Sequence, residues 1–165
     1  MRQILISPVR LRNSYMHTSE NIVLLLQQAM EETSIKVLDA SELDFSAPIA
    51  PGKWSRKLIL GHLCDSAHNN LRRFIVGQYH EKENIVYDPD AWVAANAYHL
   101  MTKAEVLHLW VTLNRQICRV LENMDEKHFE NQIDTGKGKP ELHSLAWLAR
   151  DYWAHMHHHL EQLTT

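Results

Sequence analysis

Cysteine is scarce in this chain, and its scarcity excludes two classes of protein. Among 165 residues there are two cysteines, Cys64 and Cys118, which are too few for a disulfide framework. They also form no Cys-x-x-Cys pair of the kind used for zinc or redox chemistry. We therefore expect both to be small core residues.

Long apolar runs and an excess of basic residues are also missing. No segment approaches the ~20 consecutive apolar residues that a membrane-spanning helix requires. The formal net charge is −3, whereas binding to a phosphate backbone favours a basic surface. We therefore predict no membrane span, no nucleic-acid partner and a cytoplasmic location.

Helical periodicity dominates what is present, and no convincing strand pattern appears. The length fits a single domain covering residues 1–165. Four long amphipathic helices are predicted, at about 19–32, 54–80, 102–123 and 144–163. A short helical turn is expected after Pro89, and Pro48, Pro51 and Gly52 mark a long connection over 41–52.

Local signals support these helices. Thr18 or Ser19 is the expected N-cap of the first, and Thr102 with Glu105 forms a capping box at the start of the third. Four amphipathic helices without strands predict an all-α four-helix bundle. The long connection indicates that its order is not simply up-down-up-down.

Histidine is abundant, with 12 in the chain, and it is the commonest protein metal ligand. His155 and His159 stand four apart on the last predicted helix, one turn above the other on its core-facing side. They can therefore reach a single ion. The alternative is that they are hydrogen-bonded core or rim residues. His157 points away, and His158 is displaced outward.

A third ligand must come from another helix, because open zinc-type sites usually use three protein ligands and a water. His62 is the candidate, at the margin of the apolar face of the second helix, where it shares a polar stripe with Ser66, Asn69 and Arg73. Such a stripe either meets solvent or lines a wet cavity. The remaining histidines are expected to be solvated or capping residues: His17, His68, His80, His99, His108, His128 and His143.

The order of these motifs resembles the DinB/YfiT-like family. The resemblance covers about residues 18–163 and is carried by Trp54-Ser55, Gly61-His62-Leu63-Cys64-Asp65-Ser66, Arg72-Arg73-Phe74 and His155-x-x-His158-His159-Leu160. It implies a four-helix bundle with an unusual connection order. It also implies a three-histidine site for nickel, zinc or a similar ion, whose ligands by position are His62, His155 and His159.

The neighbours of these ligands have expected roles as well. His158 is expected either to contact a ligand imidazole from behind or to replace one of the ligands, and Asp65 or Glu161 could orient a ligand imidazole. Ser66, Asn69 and Arg73 are candidates for lining the pocket, with Arg73 holding an anionic group. Trp54 is interpreted as a packing anchor at the start of its helix. No general base can be identified, so the catalytic residues stay unassigned.

The function predicted from this pattern is a metal-dependent enzyme acting on a small molecule, either a hydrolase or a transferase using a low-molecular-weight thiol. The competing hypothesis is a non-catalytic metal-binding or stress-associated bundle. Nickel or zinc is the expected metal, while all-imidazole sites also accept iron, cobalt, copper or manganese. On family grounds we expect a homodimer, with Trp92, Trp110 and Trp147 as candidate contact residues.

Overall fold

The chain is mostly helical, as expected. The computed structural model describes the backbone of residues 8–163 and the side chains of residues 21–163. Its elements in chain order are α1 Pro8–Asp39, α2 Glu42–Ser46, α3 Arg56–Val76, α4 Pro89–Asn96, α5 Lys103–Glu122, β1 Gln132–Asp134, β2 Leu142–Ser144 and α6 Leu145–Gln162. Two 3₁₀ helices, Tyr98–Leu100 and Glu126–Glu130, lie in the connections. Over the range described, every helix falls short of the combination of length and apolar composition that a bilayer span needs.

Side-chain caps fix the starts of three long helices. The hydroxyls of Ser55 and Ser144 each accept a hydrogen bond from the backbone N–H three residues on, at the starts of α3 and α6. The predicted capping box of Thr102 and Glu105 is present at the start of α5. Each cap satisfies backbone donors that a helix leaves unpaired in its first turn.

The first helix is longer than predicted at both ends, since α1 spans Pro8–Asp39 and not 19–32. Thr18 and Ser19 lie inside it, so the predicted N-cap is wrong. Proline suits the first helical position, which allows the earlier start at Pro8. The polar residues Glu31 to Ser34 interrupt the apolar stripe, but the buried Val37 continues it, so the helix extends beyond Glu32.

The second long helix is shorter than predicted, because α3 ends at Val76 and not near residue 80. Gly77 follows it, and glycine has low helix propensity. A Cβ atom added there would lie 2.7 Å from Leu145 Cδ2. The glycine therefore allows the end of α3 to approach the start of α6 closely.

The prediction of no strands is wrong for a short hairpin. Strands β1 and β2 pair antiparallel in the connection before α6, with Ile133 opposite His143. Three residues are too few to show a period of two. Asp134 helps close the loop, because its Oδ1 accepts hydrogen bonds from the N–H groups of Gly136 and Glu141, both at 2.8 Å.

The four long helices pack in an order that their sequence does not follow. Helix α1 packs on α5 and α6, and α3 packs on the same two helices. Around the bundle the order is therefore α1, α5, α3, α6, with α1 diagonally opposite α3. The connections from α1 to α3 and from α5 to α6 cross the bundle, which confirms that it is not simply up-down-up-down.

The core between these helices is apolar, with a few satisfied polar groups. Cys64 and Cys118 are both buried in it, as predicted. Trp110 is fully buried, so the proposal that it contributes to a dimer surface is wrong. Tyr152 donates a hydrogen bond from its hydroxyl to Asn114 Oδ1 at 2.6 Å, which pairs two polar groups deep in the core.

Candidate metal centre

Helix α3 places His62 at the inner side of the bundle. The side chain is 4% exposed, although histidine is a polar residue. Gly61, just before it, faces the ring of Tyr98, where an added Cβ atom would lie 2.3 Å from Cδ2. The Tyr98 hydroxyl donates to Asp65 Oδ1 at 2.6 Å. This close contact fixes the part of α3 that carries His62.

Helix α6 brings His155 and His159 to the same point. The ring centroids of His155 and His159 lie 4.7 Å apart. The ring centroid of His62 lies 5.1 Å from that of His155 and 4.9 Å from that of His159. One ring nitrogen of each histidine lies within 4.8 Å of the corresponding atom of the other two. Within the part of the chain whose side chains are described, this is the cluster of histidine, cysteine and carboxylate groups that could hold a metal ion.

Hydrogen-bond partners orient two of the imidazoles. His155 Nδ1 lies 3.4 Å from Ser66 Oγ, and His159 Nδ1 lies 3.3 Å from Gln162 Oε1. The amide oxygen of Gln162 is an acceptor only, so it favours a proton on Nδ1 and leaves Nε2 free as a ligand. The Ser66 hydroxyl can accept from His155 in the same way.

The spacing of the nitrogens fits an ion as well as a hydrogen bond. The Nε2 atoms of His62 and His155 are 3.2 Å apart. Two ligands of a tetrahedral zinc ion, each about 2.0–2.1 Å from it, stand roughly 3.3 Å from each other. His62 Nδ1 is buried without a hydrogen-bond partner among the described residues. This unpaired atom lies on the other side of the ring from Nε2, so it does not distinguish a metal from a hydrogen bond at Nε2.

Burial keeps these histidines neutral. It lowers the pKa of His62 from 6.5 to about 4, with repulsion from His155 and His159 adding to the effect. Burial likewise lowers the pKa of His155 to about 4, helped by repulsion from His159 and His158. Burial also lowers the pKa of His159, although the hydrogen bond from its ring to Gln162 has the opposite effect. Neutral imidazole is the form that binds metals.

His158 lies outside the group of three. It is exposed, its ring centroid is 5.2 Å from that of His159, and its Nε2 lies 3.2 Å from Gln162 Nε2. His158 therefore contacts Gln162, which is the residue that orients His159. Glu161 is exposed on the same helix. The side chain of His17 lies outside the described residues.

The polar stripe of α3 divides between the site and the scaffold. Ser66 reaches His155, as described above. Asn69 is buried and donates to the Asp65 carbonyl one turn back on its own helix. Asp65 accepts hydrogen bonds from Tyr98 and from Asn96, the latter at 2.8 Å. These hydrogen bonds connect it to the scaffold and not to an imidazole.

Arg73 also has a structural use. Its guanidinium donates from Nε and Nη2 to the carbonyl oxygen of Ile85, at 3.2 and 2.8 Å, and from Nη1 to Asn70 Oδ1. These bonds tie the connection after α3 to the helix. Arg73 thus holds a backbone carbonyl in this structure, where the sequence predicted an anionic group.

Two residues that contact the clustered histidines, Gln162 and Trp54, were not predicted from the sequence to do so. Gln162 is three residues after His159, a spacing that places both on one helix face and could have indicated the contact. Trp54 was interpreted as a packing anchor, yet its ring centroid lies 5.5 Å from that of His62. That contact joins residues eight apart and crosses the start of α3, so local spacing does not indicate it.

Comparisons with known proteins agree with this fold. The structure is similar to that of YfiT from Bacillus subtilis, which is described as a probable metal-dependent hydrolase with an unusual four-helix bundle topology. The TM-score is 0.71 and the sequence identity is 22%, and the match covers 99% of this chain and 89% of YfiT. It is also similar to a mycothiol-dependent maleylpyruvate isomerase, at a TM-score of 0.65 and 12% identity, covering 84% of this chain and 59% of the isomerase. At these identities the likeness concerns the fold.

The sequence itself identifies the family. No curated protein matches the chain. The family model of the DinB superfamily matches residues 25–163, which include all of the long helices except the start of α1. The chain therefore belongs to the DinB superfamily.

Proposed function

We propose that this protein is a metal-dependent enzyme in which His62, His155 and His159 hold one divalent ion. The observation that carries the proposal is the convergence of three imidazole nitrogens within 4.8 Å of one another. When bound there, such an ion supplies a Lewis acid that lowers the pKa of a water molecule or a thiol. Three ligands leave positions for an exchangeable group, which a structural site of four ligands would not.

The residues of the chain prepare this site in two ways. Ser66 and Gln162 face Nδ1 of His155 and His159, which leaves the opposite nitrogen of each ring to bind. Burial lowers the pKa of His62 and His155 to about 4, so both are unprotonated at neutral pH. A metal therefore displaces no proton from these rings near pH 7.

The reaction class is hydrolysis or transfer to a low-molecular-weight thiol, on a small-molecule substrate. YfiT is described as a probable metal-dependent hydrolase, and the isomerase is described as mycothiol-dependent. Both descriptions are consistent with an activated water or thiol as the nucleophile. The two reactions share the same first requirement, a nucleophile that loses its proton at neutral pH.

Metal analysis is the first test. The protein, purified without a nickel column, is expected to contain about one ion per chain, with nickel or zinc favoured. His62→Ala should lose that ion, whereas the control variant His158→Ala should keep it, because His158 is exposed and outside the cluster. Retention of the metal in His62→Ala would contradict the proposed ligands.

Coordination and turnover then separate an enzyme from a metal-holding bundle. X-ray absorption should show three imidazoles with at least one exchangeable ligand, and a closed shell of four protein ligands would end the enzyme proposal. Ester, amide and halide substrates, with and without glutathione or bacillithiol, should be turned over faster by wild type than by His62→Ala. Equal rates across this set favour the non-catalytic hypothesis.

We further propose a cytoplasmic homodimer without a nucleic-acid partner. The net charge of −3 supports the last point. Trp147 is 40% exposed and stacks on His143 with ring centroids 3.8 Å apart, so it remains a candidate contact residue. Light scattering on the purified protein tests the dimer, and a mass of one chain of 19.3 kDa would contradict it.

A further inference from the structure

A second feature of the molecule lies directly beside the histidines. A cavity of about 750 Å³ opens where the connection before α3 meets the end of α6. Trp54 and Gln162 both line it. These are the same two residues that contact His62 and His159, through ring packing and through the Nδ1 contact. The cavity and the histidine cluster therefore share a wall.

The charge of this cavity has one sign. Lys53 and Arg56 line it, and no carboxylate appears among its lining residues. Among the described side chains, none forms a salt bridge with either cation. The first turn of α3 also contains no acidic residue, and the N-terminal end of a helix carries partial positive charge. An anionic group is thus the ligand that this surface favours.

The positions of the two cations are well defined by the backbone. Arg56 is the first residue of α3, directly after the cap Ser55. Lys53 lies in a turn closed by its own N–H donating to the Ala50 carbonyl and by the Ile49 N–H donating to the Trp54 carbonyl, at 3.0 and 3.3 Å. Both cations line the cavity together with Trp54, with Lys53 exposed and Arg56 half-buried.

Another cavity of similar size does not share these properties. It lies between α1 and α6 and has a volume of about 740 Å³. Its lining mixes the carboxylates of Glu32, Asp44 and Glu161 with Lys36 and with Arg56, which therefore lines both cavities. None of the three clustered histidines lines either cavity; what distinguishes the cavity beside Trp54 is that Trp54 and Gln162, which contact His62 and His159, line it. The mixed charge of the other cavity favours no one class of ligand.

We propose that the cavity beside Trp54 is the substrate pocket of the histidine centre, and that it selects small molecules with an anionic group, which Lys53 and Arg56 bind. This inference rests on the proposed metal function. Arg56 and His62 are six residues apart on α3, or about 9 Å along the axis. The favoured ligand therefore has its anionic group separated from its reacting group by roughly that distance, with an apolar part against Trp54 and the buried Ile59.

Cobalt-loaded protein provides a test that does not depend on turnover. A thiolate bound to cobalt gives a charge-transfer absorption, so thiol binding can be titrated directly. The probes are 6-mercaptohexanoate and the neutral 6-mercapto-1-hexanol, which differ only in the terminal group. We expect wild type to bind the carboxylate about tenfold more tightly, with the preference falling at high salt.

The variant Lys53→Gln/Arg56→Gln should lose this preference while binding the neutral thiol as wild type does. The control Arg115→Gln/Lys139→Gln removes the same charge from exposed positions that line neither cavity, and should keep the preference. Equal affinity of wild type for the two probes, or a preference that survives in the Lys53→Gln/Arg56→Gln variant, would overturn the pocket proposal and leave the metal proposal standing. Bound cobalt that gives no thiolate band with either probe would also overturn the pocket proposal alone, whereas absence of any bound cobalt would overturn the metal proposal, and the pocket proposal with it.

Discussion

Replacement of Gly61 by alanine should destabilise the protein, although alanine is the better helix former. Gly61 lies inside α3, where this exchange normally stabilises a helix by about 1 kcal/mol. Here the new Cβ atom would lie 2.3 Å from Cδ2 and 2.5 Å from Cγ of Tyr98. The tyrosine is 3% exposed and its hydroxyl is bonded to the buried Asp65, so the ring has little freedom to move.

The expected magnitude follows from these contacts. Overpacking of a dense core costs about 1–3 kcal/mol. Displacing the Tyr98 ring also weakens its hydrogen bond to Asp65, and a bond to a charged group is worth about 1.5–3 kcal/mol. After the gain in helix propensity, we expect Gly61→Ala to lower the free energy of unfolding by about 1.5–5 kcal/mol, which is roughly 3–20 °C in melting temperature for a chain of this length.

Thermal and urea unfolding at pH 7, measured for Gly61→Ala in two backgrounds, tests the mechanism. In wild type the substitution should destabilise. In a Tyr98→Ala background, where Cγ and the ring are both gone, the same substitution should be neutral or stabilise by up to about 1 kcal/mol. Because His62 is the next residue, metal affinity should fall in Gly61→Ala as well. An equal effect in both backgrounds, or stabilisation in wild type, would refute the contact as the cause.

Three further predictions concern the site and the core. The metal-free protein should lose about 5 kcal/mol of stability as pH falls from 6.5 to 4, because the pKa values of His62 and His155 are each about 4 when folded and 6.5 in their ordinary state, so the unfolded chain binds both protons first. Urea unfolding should show no such change above pH 7, and a flat profile below 6.5 would contradict the pKa shifts. Adding zinc at about 100 times its dissociation constant should stabilise wild type by about 2.7 kcal/mol. EDTA should remove this gain, and His62→Ala should not show it. Equal melting temperatures by calorimetry for zinc-loaded and metal-free wild type would argue against a metal bound to the folded state. Tyr152→Phe should lower the free energy of unfolding by about 1–3 kcal/mol, because it leaves the buried Asn114 Oδ1 without its donor. Tyr79→Phe is the control, since Tyr79 is 75% exposed, and it should change the melting temperature little.

Features that depend on neighbouring residues of the chain could be predicted from the sequence. The starts of α3, α5 and α6 follow from caps that act within three residues, and these were found at Ser55, Thr102 and Ser144. His155 and His159 share a face because helix geometry alone places residues four apart one above the other. The buried cysteines follow from their apolar surroundings on amphipathic helices.

Errors arose where the signal was short or ambiguous. Three-residue strands cannot display a period of two, so the hairpin of β1 and β2 was missed. The polar residues around Glu32 resemble the end of a helix, so α1 was predicted to end there. The apolar stripe of the helix resumes at the buried Val37, and α1 continues to Asp39. Trp110 was counted as surface because its sequence neighbours do not show which helices cover it.

The sequence by itself determined that this is a helical, histidine-rich member of its family, with two imidazoles on one face of the last helix. Through the family resemblance it also predicted His62 as the third ligand. Only the tertiary structure, which places α3 between α5 and α6, shows His62 beside those imidazoles, 93 residues from His155 along the chain. It also decided that Gln162 orients His159, that Arg73 binds a carbonyl, and that a cationic cavity adjoins the centre. The physical reason is range, because caps and helix faces are set by covalent geometry over a few residues, whereas contacts between helices depend on how the whole core packs.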